Sequence, residues 1–251
     1  MCTLVLLRRP DASWPLLIAA NRDEMAGRDS APPARHWPDR PETIAGLDRM
    51  GGGSWLGLND RGLMAAVMNR TGTLGPEAGK RSRGELVLET LDHAEADAAA
   101  GALADLDPHA YRPFNLAIAD PRRAYWLRHG GDGEIRVHPI PVGLHMLCAT
   151  ELDDPGHPRI ARYLPRFLAA AVPQPQTDTW EDWRRLLAST ETDPTADPES
   201  AMVVARADGF ATRSSALIAL PAYPSPACPP RWLHADGRPD RVAFRPVDLS
   251  G

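Results

Sequence analysis

Residues 19–24, Ala19-Ala20-Asn21-Arg22-Asp23-Glu24, set a polar cluster on the end of the apolar run Leu16–Ala20. Upstream, Cys2–Leu7 is apolar and β-prone, and Arg8–Ser13 carries Pro10 and Asp11 and reads as a turn. Trp14–Asn21 reads as the return strand, so the chain opens with a β-hairpin whose first residue is tied down inside a sheet. That hairpin sets the polar cluster beside the start of the chain. A carboxylate there can orient an amino-terminal amine on the neighbouring strand, and an arginine beside a thiol lowers its pKa. A solvated hairpin end with a salt bridge is the other reading of the same residues.

The thiol in question is Cys2. An initiator Met is trimmed when a small residue follows it, which would make Cys2 amino-terminal. Its own α-amine, with a reference pKa of roughly 7.7–8.0, is then a base for the thiol, so one residue supplies nucleophile and base. The alternative is a small apolar residue at a strand start, since free Cys is often buried.

Further along, Gly51-Gly52-Gly53-Ser54-Trp55-Leu56-Gly57 is glycine-rich. No GK[ST] follows, a strand and not a helix comes next, and there is no GxSxG, so it is no nucleotide loop or nucleophile elbow. Its glycines let the backbone approach a ligand or an adjacent sheet. Trp55–Leu58 and Leu63–Met68 flank the turn Asn59-Asp60-Arg61-Gly62 and form a second hairpin. Asn69 ends it, as an amide for an oxyanion or as an ordinary strand end. Ser82-Arg83-Gly84-Glu85 fits a capping box and predicts one helix from Ser82 to Leu106. Strands are predicted at Phe114–Ala119, Ala124–His129, Glu134–Ile140 and Leu144–Thr150. Helices follow at His157–Ala171, which Pro165 should end or kink, and at Thr179–Thr190. Ala201–Ala205 and Phe210–Leu220 read as strands, Pro221–Pro230 as a Pro-rich stretch, and Arg241–Phe244 as a last strand. Thr212-Arg213-Ser214-Ser215 places an arginine inside an apolar strand, where it wants an anion or a structural salt bridge. Strands, then helices, then strands indicate an α+β fold with a mainly antiparallel sheet.

The 251 residues carry 28 Lys and Arg against 33 Asp and Glu, a net charge of −5. An acidic chain without a basic run argues against nucleic-acid binding. No apolar stretch approaches a bilayer span, and the start lacks the polarity of a secretory signal, so no stable membrane insertion and a cytoplasmic location are expected. Cys2, Cys148 and Cys228 are scattered without CxxC or zinc spacing, which fits free thiols in a reducing compartment. The histidines show no ligand pairing, so no metal site is expected.

Met1-Cys2-Thr3-Leu4, Ala19-Ala20-Asn21-Arg22-Asp23-Glu24, Gly52-Gly53-Ser54-Trp55-Leu56-Gly57 and Thr212-Arg213-Ser214-Ser215, in that order, resemble the NRDE-motif family, also called the transport and Golgi organisation family. That family is similar to N-terminal-nucleophile hydrolases of the choloylglycine hydrolase and penicillin V acylase branch. The resemblance implies a single domain over residues 1–251 with a four-layer αββα sandwich of two antiparallel sheets. It puts Cys2 on the nucleophile, Asp23 on the carboxylate that holds the amine, Asn69 on an oxyanion-hole asparagine, and Arg213 on the arginine that polarises the nucleophile's surroundings. Two positions depart. The acylases carry an arginine three residues before the aspartate, where this chain has Ala20, so Arg22 would have to substitute. They also carry an asparagine where Ala149 stands, and losing one oxyanion donor typically costs roughly 10²–10³ in rate.

Two functions follow from the resemblance. One is cysteine-dependent hydrolysis or acyl transfer on a small amide or thioester, with no cofactor required. The other is a non-catalytic haem-trafficking or acyl-CoA and lipid-binding protein on the same fold, with haem as a possible ligand. Lys80, Arg81 and Arg83 at a helix start would suit a phosphate or propionate, or else form a solvated basic loop. A role in protein interaction without a small ligand ranks last, because the polar groups converge on one strand end.

Overall fold

A computed structural model describes residues 2–192, 200–222 and 228–250. The strands in chain order are β1 (Thr3–Arg8), β2 (Leu16–Met25), β3 (Ser30–Ala34), β4 (Thr43–Asp48), β5 (Leu56–Asn59), β6 (Met64–Asn69), β7 (Phe114–Ala119), β8 (Ala124–His129), β9 (Ile135–Pro139), β10 (Gly143–Leu147), β11 (Phe210–Leu220), β12 (Arg231–Ala235) and β13 (Arg245–Pro246). The helices are α1 (Gly84–Leu91), α2 (Ala96–Ala104), α3 (Pro158–Ala169) and α4 (Glu181–Leu187). Two compact units result, one from the start to Gly27 plus Val142–Val247, the other Arg28–Pro141 with the last residues. Each has its own antiparallel sheet, so the α+β expectation holds.

The first unit's sheet runs β10-β1-β2-β11-β12-β13. The predicted hairpin is there, with Thr3 opposite Asn21 and Arg8 opposite Leu16, and β10 covers the other side of β1. The terminal strand is therefore an inner strand. One face of β1 and β2 (Val5, Leu7, Leu17, Ala19) packs with Tyr163 and Phe167 of α3 and Trp183 of α4. Phe167 and Trp183 meet edge to face at 5.6 Å. In α3 the buried residues Ile160, Tyr163 and Phe167 recur at helical spacing. Pro165 does not end the helix, which continues to Ala169. Pro165 and Ala161, whose carbonyl loses its donor, are both exposed, so water takes over and the buried face stays intact.

Phe210–Leu220 is β11 as read from the sequence, but Ala201–Ala205 is no strand. It contributes one bridge, Ala205 to Ala211, while the carbonyl of Met202 takes a side-chain bond from Asn21. The last strand is β13, beyond the predicted Arg241–Phe244, and β12 was not anticipated. Of the Pro-rich stretch, residues 223–227 lie outside the described residues, as does Met1.

The second unit's sheet runs β3-β4-β5-β6-β7-β8-β9. Edge strand β3 lies in a stretch rich in Pro, Arg and Asp, and its Pro32 and Pro33 sit at a register shift and cost no ladder bond. The glycine-rich stretch serves close packing. A Cβ on Gly53 would lie 2.3 Å from the backbone carbon of Gly84, and Ser54 N–H donates to the Gly84 carbonyl at 3.0 Å. The backbone that approaches is the start of α1, not the adjacent sheet.

The single helix expected over Ser82–Leu106 is two. Asn59 Nδ2 donates to the carbonyls of Leu91 (2.9 Å) and His93 (2.7 Å), ending α1. Asp120 Oδ2 accepts from Ala96 N–H at 2.8 Å, starting α2. Both partners come from β-turns remote in sequence. The capping box does not form either: Ser82 Oγ accepts from Gly84 N–H, while Glu85 pairs with Arg81. Among the described residues, no helix is long and apolar enough to cross a membrane.

Candidate active site

Strand order brings three sequence segments to one end of the first sheet. Cys2 precedes β1, Asp23 lies near the end of β2, and Thr212 of β11 is the cross-strand partner of Asp23. Cys2 is half-buried, and its Sγ donates to the carbonyl of Asp23 at 3.5 Å. Burial pushes the Cys2 thiol pKa up, and the Asp23 charge adds to the rise. The positive chain terminus and Arg22 pull it back.

Asp23 itself is 2% exposed. Its Oδ2 accepts from Arg159 Nη1 at 3.0 Å and its Oδ1 from Thr212 Oγ1 at 2.7 Å. The same Arg159 Nη1 donates to Thr3 Oγ1 at 2.7 Å, and the Cys148 thiol approaches that oxygen at 3.6 Å. Burial opposes the Arg159 charge, yet the Asp23 carboxylate outweighs it and leaves the guanidinium pKa above its ordinary value. Burial raises the Cys148 thiol pKa despite Arg159 nearby.

Alternation along β2 assigns the remaining polar residues. Asn21 shares the face of Asp23, where Nδ2 donates to the carbonyls of Leu187 (3.0 Å) and Met202 (2.9 Å) and Oδ1 accepts from Ser215 at 2.6 Å. Those bonds tie β2 to the end of α4, which is a structural task. Arg22 is buried on the opposite face, across from Ser214, and its charge reaches the Cys2 thiol. Arg213 stands in a β-bulge between Thr212 and Ser214 and is exposed. Ala149 follows β10 and is buried. Asn69 ends β6 in the second unit, opposite Phe114 and half-buried.

Cys2, Asp23 and Arg22 therefore stand together in one unit, joined by Thr3, Thr212, Cys148 and Arg159, to which the sequence reading gave no role. Thr212 was visible inside its motif. Arg159 left one faint signal, a cation in the first turn of a helix, where the macrodipole favours an anion. The basic loop is already engaged. Lys80 donates to the His109 carbonyl, Arg81 pairs with Glu85 and Glu89, and Arg83 bonds Thr73, Gly75 and Pro113. Among the described residues no cluster of three His, Cys, Asp or Glu could hold a metal ion.

Two antiparallel sheets, each with helices packed against it, make an α+β fold similar to that of N-terminal-nucleophile hydrolases, and here a cysteine stands beside a buried aspartate. Solved structures with this fold include an N-acylethanolamine-hydrolyzing acid amidase ortholog from Caenorhabditis elegans (TM-score 0.59, 12% identity, 98% of this chain and 100% of that one). A conjugated bile acid hydrolase from Clostridium perfringens superposes with TM-score 0.56 at 10% identity, over 100% of this chain and 94% of that one. At such identities the likeness shows the fold alone. The sequence profile of Transport and Golgi organisation 2 matches residues 1–223, and the chain belongs to that family. The Transport and Golgi organization protein 2 homologs of Bos taurus and Homo sapiens are each 36% identical to it over 113 residues. That match covers 43% of this chain and 40% of each homolog's length.

Proposed function

We propose that the protein is a Cys2-dependent acyl hydrolase or acyltransferase for a small amide or thioester, active once Cys2 is the amino-terminal residue. The observation that carries this reading is the seat of Cys2. It leads into an inner strand, with its sulfur 3.5 Å from the Asp23 carbonyl and beside a buried carboxylate. Burial and Asp23 keep the thiol protonated at neutral pH, so it needs a base. A free α-amine with a reference pKa of roughly 7.7–8.0 meets that need on the same residue.

The amine takes the thiol proton, and the sulfur adds to the substrate carbonyl, forming a C–S bond and an oxyanion. As the oxyanion collapses, the C–N or C–S bond to the leaving group breaks, and the ammonium returns its proton to that group. Water, or an acceptor amine or thiol, deprotonated by the same amine, then adds to the acyl-cysteine, the C–S bond to Cys2 breaks, and the ammonium returns its proton to the Cys2 sulfur. Asp23 orients the amine, and Arg22 supplies positive potential on the thiol's side of the strand.

The test is intact mass of the native-start protein before and after an acyl thioester probe. Loss of Met1 and one adduct mapped to Cys2, absent in Cys2→Ala, is the expected result. A retained Met1, or an inert Cys2 while Cys228 reacts, would overturn it. Haem binding by Soret shift, or acyl-CoA binding by calorimetry, would then favour a carrier.

A further inference from the structure

The geometry points to Arg159 as a positioning residue for the nucleophile: reaching in from α3, it holds the Asp23 carboxylate in place and ties it to the residue that follows Cys2. The inference rests on the cysteine-nucleophile reading above.

The side chains of Arg159 and Asp23 are 1% and 0% exposed. Burying such a pair is costly, and in many proteins an apolar pair of similar volume serves stability equally well. Arg159 also sits in the first turn of α3, where its charge opposes the helix dipole. Stability is thus a poor reason for an arginine at this point. What the guanidinium does accomplish is geometric. One nitrogen, Nη1, bridges Asp23 Oδ2 at 3.0 Å and Thr3 Oγ1 at 2.7 Å, locking β2 to the residue next to the nucleophile. Thr212 takes the other carboxylate oxygen at 2.7 Å, so the carboxylate cannot turn. Four elements (β1, β2, β11 and α3) converge on it. The acylase-type arginine expected at position 20 is an alanine here. The guanidinium comes from a helix more than a hundred residues downstream.

The experiment measures the second-order rate of Cys2 acylation by the thioester probe, per folded molecule, with far-UV circular dichroism and melting as controls. The proteins are wild type, Arg159→Met, Arg159→Lys, Asp23→Asn and the double variant Asp23→Asn with Arg159→Met. Arg159→Met is expected to slow Cys2 by about tenfold or more, because a small misplacement near the reacting atoms has effects of that order. Arg159→Lys, with a charge and donors but no fork, should retain more of the rate than Arg159→Met. The double variant should react no more slowly than Asp23→Asn alone, because Arg159 acts through Asp23. A folded Arg159→Met within about twofold of wild type, or losses that multiply in the double variant, would overturn the assignment. Should Arg159→Met not fold, Arg159→Lys decides: a loss of about threefold or more at unchanged circular dichroism supports it, and a wild-type rate sinks it. If wild-type Cys2 reacts no faster than Cys228, the cysteine-nucleophile reading falls and this inference falls with it.

Discussion

Single residues in this protein show how burial turns a side chain into a commitment. Asp23 is satisfied on both carboxylate oxygens. His234 of β12 is the opposite case. It is buried, and neither ring nitrogen has a hydrogen-bond partner among the described residues. Burial pushes its pKa down to about 4, with Asp236 opposing the shift only weakly. The unfolded chain takes up that proton at an ordinary pKa of about 6.5, whereas the folded protein resists until about 4. The stability that neutral His234 contributes is therefore present above the unfolded value and is lost as pH falls towards the folded one. Between pH 7 and pH 5 the wild-type protein should lose about 2 kcal/mol more than His234→Leu, read from urea unfolding at both pH values. Equal losses in the two proteins would mean that His234 takes up its proton in the fold as readily as in the unfolded chain.

At the level of elements, helix ends are decided by distant side chains. Asn59 donates to the last carbonyls around α1 and accepts from the N–H groups of Arg61 and Leu63 in its own turn. It is buried, so Asn59→Ala leaves several backbone groups without partners. A loss of about 2–4 kcal/mol is expected in denaturant unfolding. The start of α1 depends on contact in place of a hydrogen-bonding cap. With a Cβ on Gly53 only 2.3 Å from the Gly84 backbone, Gly53→Ala must push the loop before β5 away from the start of α1. Its expected cost is about 1–3 kcal/mol, measured by the same method. Gly52→Ala, by contrast, meets no atom within 4 Å and suffers only from its positive φ of 72°. Comparing the two variants separates crowding from backbone strain.

For the molecule as a whole, the sheet order makes a prediction about the terminus. Strands that begin a chain commonly fray, but β1 is hydrogen-bonded on both sides by β10 and β2. Amide exchange at Leu4–Leu7 should be as slow as in β2, and slower than in the edge strands β3 and β9. Fast exchange there would deny the site its rigid base. The sequence alone determined what depends on neighbours along the chain. Short apolar runs and the turns at Arg8–Ser13 and Asn59–Gly62 specify both hairpins, and the run Phe210–Leu220 specifies β11 to the residue. Cys2, Arg22 and Asp23 were legible as site candidates because the hairpin sets the polar cluster beside the start of the chain and the family motifs fall on the same residues. Only the tertiary structure decided the rest. The break between α1 and α2 comes from Asn59 and Asp120, and the glycine-rich stretch answers to the backbone of Gly84. The passage of α3 through Pro165 reflects a buried face that outweighs one missing bond. Arg159 joins Asp23 across 136 positions of chain. No local propensity encodes such partners. Buried polar groups pair with whatever the packing brings within about 3 Å, and packing is a property of the folded chain.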